Sequence, residues 1–103
     1  MNIVVFVTAK DQEEAKNIAR ELVNRKLVAC ANIVLGIQSI FWWEGKADES
    51  MEVLLILKTK KSLFKKVETA VKALHSYKVP EIIALPIIGG SKDYLKWVND
   101  SVK

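Results

Sequence analysis

The chain has 103 residues, a formal net charge of +4 and a hydrophobic fraction of 50%, and at 11.6 kDa it is one domain spanning residues 1–103. So mild a basic excess does not make a nucleic-acid-binding tail, and the single cysteine, Cys30, excludes an intramolecular disulfide or a zinc site of paired cysteines. A folded monomer of this mass exposes roughly 5,800 Å², so half-apolar composition on so small a body requires cover beyond its own core.

The run Asn2 to Thr8 is rich in Ile, Val and Phe and predicts a buried strand. It is far too short for a membrane span, and Lys10-Asp11 closes it without a cleavage pattern, so the expectation is a cytoplasmic protein with no membrane span. Asp11 and Glu14 have capping-box spacing. Ala15, Ile18, Ala19, Leu22 and Val23 then form one apolar stripe on a helix running to about Lys26. Val28 to Trp43 reads as a long strand that bends near Gly36, with Glu52 to Thr59 as its hairpin partner. Ser62 or Thr59 is the expected cap of a second helix whose stripe is Phe64, Val67, Val71 and Leu74 and which ends near His75. Glu81 to Ile88 reads as a strand broken by Gly89-Gly90, and Ser91 caps a last short helix carrying Tyr94, Trp97 and Val98.

Strand, helix, strand, strand, helix, strand and tail helix give an α+β, ferredoxin-like βαββαβ antiparallel sheet with a C-terminal helix. Such a sheet has one face free of helices, and a wet face should alternate polar with apolar residues. Ile3 to Val7, Val53 to Leu57 and Ile82 to Leu85 are apolar on both faces. The free face therefore needs cover, and a homo-oligomer supplies it. Phe41-Trp42-Trp43-Glu44-Gly45-Lys46 points the same way, because three successive rings on a strand cannot enter one core. Phe41, Trp42, Trp43 and Glu44 are the candidate oligomer interface, weighed against simple packing of a hairpin tip.

Chemistry-bearing residues are few. His75, the only histidine, is either a helix-end residue favoured by the dipole or a metal ligand needing partners from elsewhere. Cys30, among small residues, reads first as a buried apolar side chain, and as a nucleophile only with a base beside it. Tyr77 and Pro80 order a connection, and Glu81 is a candidate for an inter-subunit ion pair or a cation ligand. Gly89-Gly90 before Ser91 reads as a turn. Lys58, Lys60, Lys61, Lys65 and Lys66 cluster, with arginine limited to Arg20 and Arg25, and read as a solvated face more readily than a phosphate site. An RNA-binding sheet would need rings on Val53-Leu54-Leu55-Ile56-Leu57, which has none. An acylphosphatase-type loop would need arginine near Thr8-Ala9-Lys10-Asp11, which also has none. No catalytic residue, and no nucleic-acid partner, is expected.

Ala29-Cys30-Ala31-Asn32, Trp42-Trp43-Glu44-Gly45-Lys46, Leu57-Lys58-Thr59, Leu74-His75-Ser76-Tyr77-Lys78-Val79-Pro80-Glu81-Ile82 and Asp93-Tyr94-Leu95-Lys96-Trp97 together resemble the CutA1 family of divalent-cation-tolerance proteins, nearly end to end. The resemblance implies a PII-like homotrimer with a role in divalent-metal tolerance, copper binding in parts of the family and no established catalytic activity. It requires no cofactor and implies Cu(II) or another divalent cation as the ion, with His75 as the ligand. Ser76 and Lys78 depart from the family pattern. The second histidine and the first-strand cysteine of some members are replaced by Leu74 and Val7. The family's metal site therefore carries over only in part, and a small-ligand or partner-binding module of the PII kind is the alternative.

Overall fold

The structure, a computed structural model, describes residues 1–103. Strand β1 (Asn2–Ala9) leads into helix α1 (Gln12–Asn24). A long hairpin follows, β2 (Cys30–Trp43) and β3 (Lys46–Lys60). A 3-10 turn over Lys61–Leu63 leads to α2 (Phe64–Leu74), then β4 (Ile82–Pro86) and α3 (Lys92–Ser101). The sheet order is β2-β3-β1-β4, and every pairing is antiparallel. This is the expected ferredoxin-like plan with its tail helix.

One face of the sheet makes the core. Ile3, Val5 and Val7 of β1 and Val53, Leu55 and Leu57 of β3 lie under Ala15, Ile18 and Leu22 of α1 and Val67 and Val71 of α2. Alternation sends the intervening residues to the other, outer face. There the register lines up Ile83, Phe6, Ile56 and Asn32 in one row and Leu85, Val4, Lys58 and Cys30 in the next. Apart from Asn32, Lys58 and Cys30 these are apolar side chains, and Ile83, Leu85 and Val34 are exposed. The two-faced apolar strands read from the sequence are present, with α3 over one end only: Asn2 Nδ2 donates to the Leu95 carbonyl, and Val98 is buried beneath the helix.

Between Val34 and Ile37 the hairpin carries a β-bulge, three steps on β2 against two on β3. Gly36 sits there at φ +74, in the left-handed region that suits glycine. The extra residue reverses the alternation. Cys30, Asn32 and Val34 face outward before the bulge; Ile37, Ser39, Phe41 and Trp43 share that face after it. The tip closes with Glu44 and Gly45 at φ 49 and 78, the double positive-φ pattern of a type I′ turn.

Three sequence expectations are corrected. β3 begins at Lys46 rather than Glu52, because the polar run Lys46–Met51 pairs fully with Gln38–Trp43. Neither Thr59 nor Ser62 caps α2: the Thr59 hydroxyl is buried and donates to the Leu27 carbonyl at 2.6 Å, and the helix starts from the 3-10 turn without a side-chain cap. β4 is shorter than 81–88, because Pro86 has no N–H and the next amide, of Ile87, bonds the Asn2 carbonyl outside the strand. The tail helix capped by Ser91 is present as expected, with Val98 buried and Tyr94 and Trp97 half-open against each other at 5.5 Å between ring centroids.

Candidate functional site

The densest polar arrangement lies where β1 runs into α1 and the α2–β4 connection crosses the end of the sheet. Asp11 caps α1 by accepting the Glu14 amide at 2.8 Å. Glu14 reaches back past the cap: Oε1 accepts the Lys10 amide at 3.0 Å and Oε2 accepts the Ser76 amide at 2.8 Å. Burial pushes this carboxyl up, but the hydrogen bonds from Ser76 and Lys10 outweigh it and hold the group below the usual carboxylate range.

His75 follows the last residue of α2, with its backbone extended. Its side chain is 0% exposed. Nδ1 accepts the Tyr77 amide at 3.0 Å, and Nε2 lies 2.7 Å from the Thr8 carbonyl, which can only accept. The two contacts fix the neutral tautomer with its proton on Nε2. Glu14 Oε1 stands 3.9 Å from Nδ1, and the Tyr77 ring lies 4.7 Å away, centroid to centroid. The Tyr77 hydroxyl donates at 2.7 Å to Glu52, a carboxylate buried at the outer face. Burial, then that carboxylate, pushes the phenol up to about 12.

Of the residues singled out by sequence, the structure thus joins His75 to Tyr77. It adds Glu14 and Glu52, which the sequence reading had used only as a cap and a strand end. The missed signal was Glu52, a carboxylate directly before five apolar residues. Cys30 lies elsewhere, across the sheet beside Lys58: Cys30 Sγ donates to Asn32 Oδ1 at 3.7 Å, and Lys58 Nζ donates to the same oxygen. The Tyr94 hydroxyl is held above its ordinary pKa by burial and by Cys30. Glu81 is exposed and forms no ion pair within the subunit. Phe41, Trp42 and Trp43 stand on the hairpin arm, Trp42 and Trp43 being 74% and 50% exposed, with Glu44 in the turn beyond them.

No group of three His, Cys, Asp or Glu side chains converges within the subunit. His75 offers a metal no free lone pair while the Tyr77 amide occupies Nδ1 and Nε2 carries its proton. In this arrangement the residues of one subunit do not fit a resident metal. What they do is fasten Ser76 and Tyr77 to β1, α1 and β3. No helix is long and apolar enough to cross a membrane.

The family profile described as CutA1 divalent ion tolerance protein matches residues 3–101. A divalent-cation tolerance protein CutA from Thermus thermophilus is 46% identical over 101 residues, 98% of each chain. A chloroplastic CutA 1 from rice is 49% identical over 102 residues, and the chain spans only 58% of that relative's length. Among solved structures, the Thermus thermophilus Cut A1 superposes with a TM-score of 0.98 at 46% identity, covering 100% of both chains. A CutA from Archaeoglobus fulgidus, described as periplasmic, gives 0.97 at 44% identity, again over 100% of both. With the profile running almost end to end and a relative of equal length nearly half identical, the chain belongs to the CutA1 divalent ion tolerance family.

Proposed function

We propose that the protein serves divalent-cation tolerance as a cytoplasmic homotrimer, binding copper or another divalent ion weakly and without catalysis. The observation that carries the assembly is the outer face of the sheet, apolar across β4, β1 and β3 and left open by α3, together with the aromatic arm beyond it. Family membership supports the cation role, and the unpaired Cys30 suits a reducing compartment. Because one subunit gathers no ligand set, the ion is held between subunits, or at His75 after the Tyr77 amide has released Nδ1. Glu81, exposed and unpaired, is one carboxylate free to meet a cation or a neighbouring subunit.

The engagement of both His75 nitrogens favours a second reading, a PII-like module that binds a small ligand or a partner and no metal. Native mass spectrometry during stepwise addition of Cu(II), Zn(II) and Mg(II) separates the two. The metal reading expects a trimer that takes up Cu(II) and loses it in His75→Ala with the assembly intact. A trimer that takes up no divalent ion leaves the second reading. Uptake unchanged by His75→Ala removes His75 from the site.

A further inference from the structure

A shallow groove of about 450 Å³ lies on the helix side of the molecule, away from the polar arrangement around His75. Its floor is apolar, Leu27, Ala70 and Ala73, and its rim carries four cations, Arg25, Lys65, Lys66 and Lys103. They come from three separate segments that the fold fastens together. Arg25 caps the end of α1, its amide bonded to the Glu21 carbonyl. Lys26 turns the chain at φ 57, and its carbonyl accepts the Lys103 amide at 3.1 Å, which brings the tail to the groove with Val102 buried in the core. Lys65 and Lys66 occupy the first turn of α2, which contains no acidic residue and no side-chain cap.

Two side-chain carboxylates pair with these cations. Glu21 pairs with Arg25 Nε at 2.8 Å, leaving the terminal guanidinium nitrogens free, and Glu68 lies 3.4 Å from a mostly exposed Lys65. Lys66 and Lys103 form no ion pair. Cations in the first turn of a helix oppose its dipole, and like charges around one concavity repel. Nothing in the packing of α2 requires lysine at both positions. A multivalent anion would remove both costs, and arginine with lysine is the pairing suited to phosphate oxygens.

We propose that this groove binds a compact oligophosphate, two or more linked phosphates, bare or attached to a flat apolar group that rests on Leu27, Ala70 and Ala73. The test is a ¹⁵N NMR titration of the full chain with sodium tripolyphosphate at constant ionic strength, with parallel ATP and sulfate titrations. The expected result is shifts concentrated at Leu27, Thr69 and Ala70, saturating with tripolyphosphate and absent with sulfate at equal charge. The double variant Lys66→Gln/Lys103→Gln should bind about tenfold more weakly, the scale for losing charge-assisted hydrogen bonds. Lys46→Gln at the distant hairpin tip should bind as the parent does. Tighter binding of ATP than of tripolyphosphate assigns the floor to a base, and equal binding assigns the phosphates alone. Shifts scattered over the surface, equal weakening by Lys46→Gln, or no saturable shift overturns the proposal.

Discussion

Glu14 and Tyr77 hold the same connection through opposite protonation chemistry, so the fold should lose support at both ends of the pH scale. The Glu14 carboxyl is depressed in the fold, so its contribution is present above its unfolded value of 4.5 and is lost as pH falls through the lower folded value. Glu14→Gln should therefore flatten the acid side of a stability–pH curve measured by urea unfolding. A variant curve parallel to the parent's below pH 4.5 would contradict this assignment. The Tyr77 phenol is raised from 10.0 to about 12, so its contribution is complete below pH 10 and is lost between roughly 10 and 12. Tyr77→Phe leaves the buried Glu52 carboxylate without its donor and should cost about 1–3 kcal/mol near neutral pH. A loss within error of zero, read by the same unfolding, would mean that water replaces the hydroxyl. His75 was legible as an unusual residue, but its role was not. A helix-end histidine and a buried histidine tied to a carbonyl 67 positions away have the same sequence.

At the scale of elements, most of the plan could be read from periodicity and punctuation. The α1 stripe, apart from the exposed Val23, and its Asp11 cap, the bend at Gly36, the turn at Gly45 and the Ser91 cap stand where local rules put them. Those rules failed where tertiary pairing overrode propensity. Lys46–Met51 is polar and unlike a strand, yet pairing with Gln38–Trp43 makes it one. Thr59 looked like a cap, but its hydroxyl is spent on Leu27 across the sheet. Gly36→Ala tests the bulge. No neighbour lies within 4 Å of an added Cβ, so the cost is backbone strain alone at φ +74, about 1–2 kcal/mol, read as a lowered Tm. An unchanged Tm would show that the bulge relaxes without a left-handed residue. The arm it aims carries Phe41, Trp42 and Trp43 into solvent. We expect Trp42→Ala or Trp43→Ala to weaken the assembly by about 2 kcal/mol or more, the scale for a large ring leaving a desolvated contact. Unchanged dissociation of both variants in a light-scattering dilution series would place the arm outside the interface.

The whole molecule is poorly covered for its size. Its accessible surface is 6603 Å², against roughly 5,800 Å² expected for a monomer of this mass. Its radius of gyration is 14.1 Å, against about 13 Å for a compact chain of this length. The extents of 44 × 25 × 22 Å locate the excess in an elongated body from which the β2–β3 hairpin extends. An apolar outer face and a projecting aromatic arm are together what a subunit looks like without its partners. The open apolar face was legible in strands apolar on both faces; the number of copies that would cover it was not, because hydropathy carries no symmetry. Sedimentation equilibrium on the purified chain tests this most directly. A single species of three times the 11.6 kDa chain mass is expected, persisting on dilution to nanomolar concentration. A monomer that keeps its fold at micromolar concentration would contradict it.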